Sequence, residues 1–181
     1  MLKINRNGII KSSKIYSIKE DLKKESTWES ECGSKSGIYF YVAHKPINYP
    51  FAKNKIFYIG RAKNLAHRLA WHFRRDMNER SMLFKDKNKD KKTSMWFYQN
   101  YYLRKIPFDI VWIYCENAKY IERLLEDIER LFIGLFAAEY GTIPICNGSV
   151  QRKKLKETYE KYSNSKVIEE IKKILKKFET K

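Results

Sequence analysis

Arg68 and His72 stand four residues apart within KIFYIGRAKNLAHRLAWHFRR, Lys55 to Arg75. On a helix that spacing stacks them on one side, one turn apart. A guanidinium offers a planar fork of donors that suits two oxygens of a phosphate, and an imidazole takes or gives a proton near neutral pH. The flanking residues say what must hold this pair in place. Ile56 to Ile59 is short, β-branched and aromatic and is stopped by Gly60, a strand signature. Asn64 suits an N-cap, and behind it Leu65, Leu69 and Phe73 recur at helical spacing on the adjoining face. A strand, a glycine turn and an amphipathic helix are therefore expected in succession.

Upstream, SGIYFYVAH alternates Ile38, Phe40 and Val42 against Tyr39 and Tyr41, so a strand would carry both phenols on one face and the aliphatics on the other. The chain now shows Gly-Ile-Tyr at Gly37 to Tyr39, Tyr-Ile-Gly at Tyr58 to Gly60 and NLAHRLAWH at Asn64 to His72, followed by a helical Glu129 and by Asn147. In this order the five elements resemble the GIY-YIG nucleases, and the resemblance covers roughly residues 36 to 148. It implies an α/β (α+β) fold with a small three-stranded, mainly antiparallel sheet flanked by helices. Its implied activity is metal-dependent hydrolysis of DNA phosphodiesters, leaving 5′-phosphate and 3′-hydroxyl ends.

The resemblance also distributes roles. Tyr39 would be the general base, assisted by His72 or Tyr58, and Tyr58 would otherwise position the water or the phosphate. Arg68 would pair with the scissile phosphate, and Asn147 would support the site by hydrogen bonding. Glu129 would hold one Mg²⁺ or Mn²⁺, mostly through water and a phosphate oxygen, because Mg²⁺ keeps its hydration and needs few protein ligands. One carboxylate with one arginine fits a single-metal site rather than a paired-carboxylate, two-metal arrangement.

The 181 residues carry a formal charge of +17, with a pI near 9.7. A polyanionic partner is the natural inference, through neutralised phosphates and released counterions, although a lysine-rich composition alone gives the same number. Cys32, Cys115 and Cys146 are odd in number and far apart, so neither a disulfide framework nor a zinc spacing is present, and a reducing, cytoplasmic setting is expected. No signal-peptide core and no apolar run of membrane-spanning length occur.

Taken in order, residues 1–35 read as a loosely held basic arm (1–13) and a short amphipathic helix (14–31) bearing Ile15, Ile18, Leu22 and Trp28. Residues 36–150 form the catalytic unit. Within it, 43–54 reads as a proline-containing loop longer than in compact repair-type members, with His44 solvated. A basic, aromatic insertion spans about 76–105. Phe108 to Cys115 is a third strand bounded by Pro107. Ala118 to Phe136 is a helix whose apolar stripe runs from Ile121 to Leu135, with Glu129 just off one edge, Asp127 at the other and Glu126 turned further to solvent. Residues 151–181 are two amphipathic helical fragments split near Ser163 to Ser165, which either bind DNA, dimerise or pack on the domain.

Arg61, Lys63, Arg75, Arg104 and Lys105 are the candidate DNA contacts, and double-stranded DNA is the expected partner. The extended loop and basic appendages around a lone catalytic unit favour a type II restriction enzyme, with a homing or repair nuclease as the alternative and a non-catalytic DNA-binding protein as the reading from another class. A restriction role implies a homodimer on a palindromic target and a cognate methyltransferase acting separately.

Overall fold

The computed structural model describes residues 3–10, 24–78, 107–116, 121–147 and 152–180. Its strands are β1 (Lys3–Ile10), β2 (Gly37–Asn48), β3 (Lys53–Ala62), β4 (Phe108–Glu116) and β5 (Glu179–Thr180). The helices are α1 (Glu25–Cys32), α2 (Leu65–Asn78), α3 (Ile121–Tyr140), α4 (Arg152–Tyr162) and α5 (Lys166–Lys176). The fold is α+β. Four long strands and the two-residue β5 form one sheet in the order β1-β4-β2-β3-β5, with every neighbouring pair antiparallel.

Three expected strands are present, and the sheet draws two more from the ends of the chain. Residues 3–10 are not part of a loosely held arm: Lys3 to Ile10 pairs with β4, with Ile4 opposite Cys115 and Ile10 opposite Ile110. KINRNGII alternates poorly, and its register against β4 shifts between Arg6 and Gly8, a bulge in an edge strand. Residues 43–54 are also not a loop. β2 continues to Asn48 and β3 starts at Lys53, which leaves Tyr49 to Ala52 as the turn. Pro46 cannot donate to a ladder, and it falls in the gap between the pairs Val42–Ile56 and Ile47–Asn54. His44 belongs to the strand rather than to a solvated loop: its N–H donates to Pro107 O at 3.1 Å, and its Nε2 lies 2.8 Å from Asp109 Oδ1.

The period-two pattern of β2 sorts two cores. Tyr39, Tyr41 and Ala43 join Phe57, Phe108, Ile110 and Trp112 on one face, under α1 and α2. Ile38, Phe40 and Val42 join Ile56, Ile59, Val111 and Ile113 on the other, under α3 and α5. α1 contributes Trp28 and Cys32, both fully buried, so residues 25–32 cover a core edge; Ile15, Ile18 and Leu22 lie outside the described residues. α3 runs four residues beyond Phe136 and ends at Gly141, whose φ of 83° suits a residue without a side chain. The tail splits where the serines predict, and Ser165 caps α5 by accepting from Val167 N–H at 3.3 Å. Ile168, Ile171 and Leu175 are buried against the sheet, so the last helix packs on the domain. Among the described residues no helix is long and apolar enough to cross a membrane.

Candidate active site

Both glycines of the two tripeptides have steric reasons. A Cβ on Gly37 would stand 2.2 Å from Ile113 O, so this strand can lie against β4 only with a bare Cα. A Cβ on Gly60 would stand 2.5 Å from Tyr39 Cζ and 2.6 Å from its hydroxyl oxygen, so Gly60 makes the space that the phenol fills. Register explains this contact, since Tyr39 lies directly opposite Gly60 on the neighbouring strand.

A bulge then aims the second tyrosine. Tyr41 pairs with Tyr58 but Val42 pairs with Ile56, so β3 spends one extra residue and turns Phe57 and Tyr58 toward the same face. The rings of Tyr39 and Tyr58 are 5.8 Å apart, and those of Tyr41 and Tyr58 are 5.2 Å apart.

α2 brings the cation and the imidazole to this cluster. Asn64 caps it as expected, its Oδ1 accepting from His67 N–H at 3.0 Å. Leu65, Ala66, Leu69 and Ala70 are fully buried, which fixes the rotation of the helix and leaves Arg68 and His72 at the margin of the core. His72 Nε2 lies 2.8 Å from the Tyr39 hydroxyl. The Arg68 guanidinium stacks over Trp71 at 4.6 Å, and its Nε is buried without a hydrogen-bond partner among the described residues. An aimed but unsatisfied donor of this kind is costly unless something else binds to it.

The electrostatics follow from one fully buried phenol among half-buried neighbours. Burial holds the Tyr39 phenol well above the usual range, the neighbouring Tyr58 and Tyr41 oxygens push it further, and Arg68 only partly offsets them. Tyr39 is thus neutral at physiological pH. For it to donate to His72, the imidazole must carry its proton on Nδ1, an assignment made from this hydrogen bond.

Glu129 enters from α3. Its Oε2 accepts from Arg61 Nε at 2.9 Å, and its side chain is 22% exposed. Burial raises its pKa, Arg61 pulls it down as the nearest opposing charge, and Arg68 acts in the same direction from within electrostatic range. Asp127, at the other edge of the stripe, is 9% exposed and ties α3 to α4 through Lys161 Nζ at 2.6 Å and the Tyr162 hydroxyl at 3.1 Å. Glu126 pairs with Arg130.

Asn147 closes the assembly on the outer edge of β3. Its Oδ1 accepts from Ile59 N–H at 2.9 Å and its Nδ2 donates to Ile59 O at 2.7 Å, so one side-chain amide completes the ladder that a further strand would supply. Cys146 N–H adds a bond to Phe57 O at 2.9 Å. Asn147 therefore holds the Tyr58–Gly60 backbone and is a positioning residue.

Of the six expected site residues, Tyr39, Tyr58, Arg68 and His72 share one cluster, Glu129 lies within its field, and Asn147 braces the strand beneath it. Arg61, expected on DNA, is bound to Glu129, and Lys63 is exposed beside α2. The side chains of Phe73 and Arg75, and all of 79–106 with Arg104 and Lys105, lie outside the described residues. Tyr41 and Trp71 are additions to the expected set. Tyr41 was legible by alternation with Tyr39, and Trp71 by its position three residues after Arg68.

No group of three or more His, Cys, Asp or Glu side chains suited to a metal occurs among the described residues. A hydrated ion with one carboxylate ligand does not need such a group. Glu129 fits that part, since its carboxylate is partly exposed and already holds a cation, the Arg61 guanidinium. Compared with protein-family models, with curated proteins and with solved structures, the chain matches none.

Proposed function

We propose that the protein is a metal-dependent DNA endonuclease of GIY-YIG type, acting on specific sequences as a type II restriction enzyme does. The observation that carries the reading is the 2.8 Å contact between the Tyr39 hydroxyl and His72 Nε2, set beside a half-buried Arg68 whose Nε is itself buried with no partner among the described residues. Such a group can move a proton and hold an anion in one place.

Hydrolysis of a phosphodiester needs an in-line water, an acceptor for its proton, and positive charge on the phosphate. Because Tyr39 stays neutral, it works as a relay: its oxygen takes the water's proton as its own proton passes to His72. Arg68 offers donors to the non-bridging oxygens from a half-buried site, where such contacts are stronger than in open solvent. Tyr58, whose ring lies 5.8 Å from that of Tyr39 and 5.9 Å from that of His72, would position the water or the phosphate. A Mg²⁺ held at Glu129 would supply charge neutralisation at the phosphate and at the departing 3′ oxygen.

The net charge of +17 supports a polyanionic substrate. The extended β2–β3 hairpin and the lysine-rich outer faces of α4 and α5 are the additions that favour a restriction role over a compact repair role. Purified protein incubated with a large sequenced duplex should give discrete, reproducible fragments with Mg²⁺ and none with chelator, with 5′-phosphate ends on mapping. Binding without any cleavage under these conditions would remove the enzymatic reading.

A further inference from the structure

Alternation along β3 sends Tyr58 and Gly60 to the tyrosine cluster and sends Ile59 and Arg61 to the opposite side, where α3 lies. Arg61 there meets a carboxylate with a stated function in the reading above, and on that reading the present inference rests. Its Nε is 2.9 Å from Glu129 Oε2, while its Nη2 is 3.8 Å from Glu126 Oε1. Glu126 is already served by Arg130, so Glu129 is the main hold on the guanidinium. The two side chains are 34% and 22% exposed, which shields the pair from full solvent screening yet leaves it within reach of a ligand.

We propose that Arg61 is an electrostatic latch on the metal site: without DNA it occupies Glu129, and when DNA arrives it transfers to a backbone phosphate and frees the carboxylate for a divalent cation. A guanidinium at hydrogen-bond distance and a hydrated divalent ion compete for one carboxylate, since each repels the other. Arg61 holds Glu129 through a single donor, Nε to Oε2, whereas a phosphate can accept two donors of the planar fork at once and so competes for the guanidinium. The exchange makes the two ligands help each other, and the coupling is reciprocal. The consequence is a nuclease that loads its metal on the DNA and holds it weakly in free solution.

The test is Mn²⁺ binding to the free full-length protein by calorimetry, comparing wild type with Arg61→Ala, Arg61→Gln and Arg130→Ala. Arg130 carries the same charge one residue beyond Glu129, so its removal measures the general field. The latch predicts at least tenfold tighter Mn²⁺ binding for the Arg61 variants and less than a twofold change for Arg130→Ala. In chelator, the Arg61 variants should also lose about one unit from the salt slope of duplex binding, the signature of one lost phosphate contact. Equal Mn²⁺ affinity in wild type and both Arg61 variants, an equal gain in Arg130→Ala, or an unchanged salt slope would each overturn the proposal. Wild-type cleavage measured in parallel separates the two levels: cutting with unaltered Mn²⁺ affinity removes the latch alone, whereas no cutting and no Mn²⁺ binding in any variant removes the nuclease reading with it.

Discussion

On one face of the sheet, β2, β3 and β4 present Tyr39, Tyr41, Tyr58 and Trp112; on the other, the same three strands present Ile38, Phe40, Ile59 and Ile113. The aliphatic face is closed by α3 and α5 with Leu131, Phe132, Ile171 and Leu175, and its burial is a matter of packing. The aromatic face carries polar atoms into the interior at a cost. Arg68 Nε and Trp112 Nε1 are buried there with no partner among the described residues, and the Tyr39 phenol is fully buried beside an imidazole. Strand alternation lets one short sheet do both, and a position's parity decides whether its loss is felt as stability or as chemistry.

The sharpest way to break this contrast is to remove Arg68 from the chemical face and Glu129, the carboxylate of α3 that lies within electrostatic range of it. Arg68→Ala and Glu129→Ala should each slow cleavage by about 10²–10³-fold with modest loss of DNA affinity, as measured by single-turnover rates and by binding in chelator. Wild-type rates in a purified Glu129→Ala protein would remove that residue from the site. Leu175→Ala tests the opposite face. It should cost about 2–5 kcal/mol in a denaturant titration while leaving the rate per folded molecule unchanged.

Gly60→Ala falls between the two. Its new methyl group meets the Tyr39 ring, so about 1–3 kcal/mol of stability should go together with activity. A variant that kept full activity would show that Tyr39 has room to move. The smallest effect concerns what the faces share. Burial pushes the Cys32 thiol, on the aromatic side, up to about 12 and the Cys115 thiol, on the aliphatic side, up to about 11. Both folded values exceed the ordinary thiol value of 9.0, so the stability linked to these thiols is intact below that pH. It is lost as pH rises through 11 and 12, because the unfolded chain ionises first. Denaturant midpoints should therefore be flat from neutral pH to pH 9 and fall above it. A fall that began below pH 8 would contradict the burial of both thiols.

The sequence carried the parts whose pattern is local. Alternation in SGIYFYVAH separated the tyrosines from the aliphatics, Asn64 marked the start of α2, and the stripe of α3 put Glu129 at a rim rather than in open solvent. Long-range pairing was hidden. β1 holds Lys, Asn, Arg and Gly among its isoleucines, and an edge strand with a bulge needs no regular alternation. The hairpin beyond Ala43 read as a loop because Pro46 and polar residues mask a ladder that resumes after a gap. The bulge that turns Tyr58 toward the cluster leaves no local signal, since it depends on which residue of β2 stands opposite. The hold of Arg61 on Glu129 was hidden because its partner lies 68 residues away. The tail's lysines drew attention to DNA, whereas Ile168, Ile171 and Leu175 fixed its place on the core.

Tyr39→Phe tests the central claim most directly, because it removes one oxygen and keeps the ring that fills the space above Gly60. With chemistry on the aromatic face, single-turnover cleavage should fall by about 10²–10⁴-fold while thermal stability and DNA affinity stay near wild type. A Tyr39→Phe protein that cuts at the wild-type rate would contradict the account, and would make this face a second packing surface.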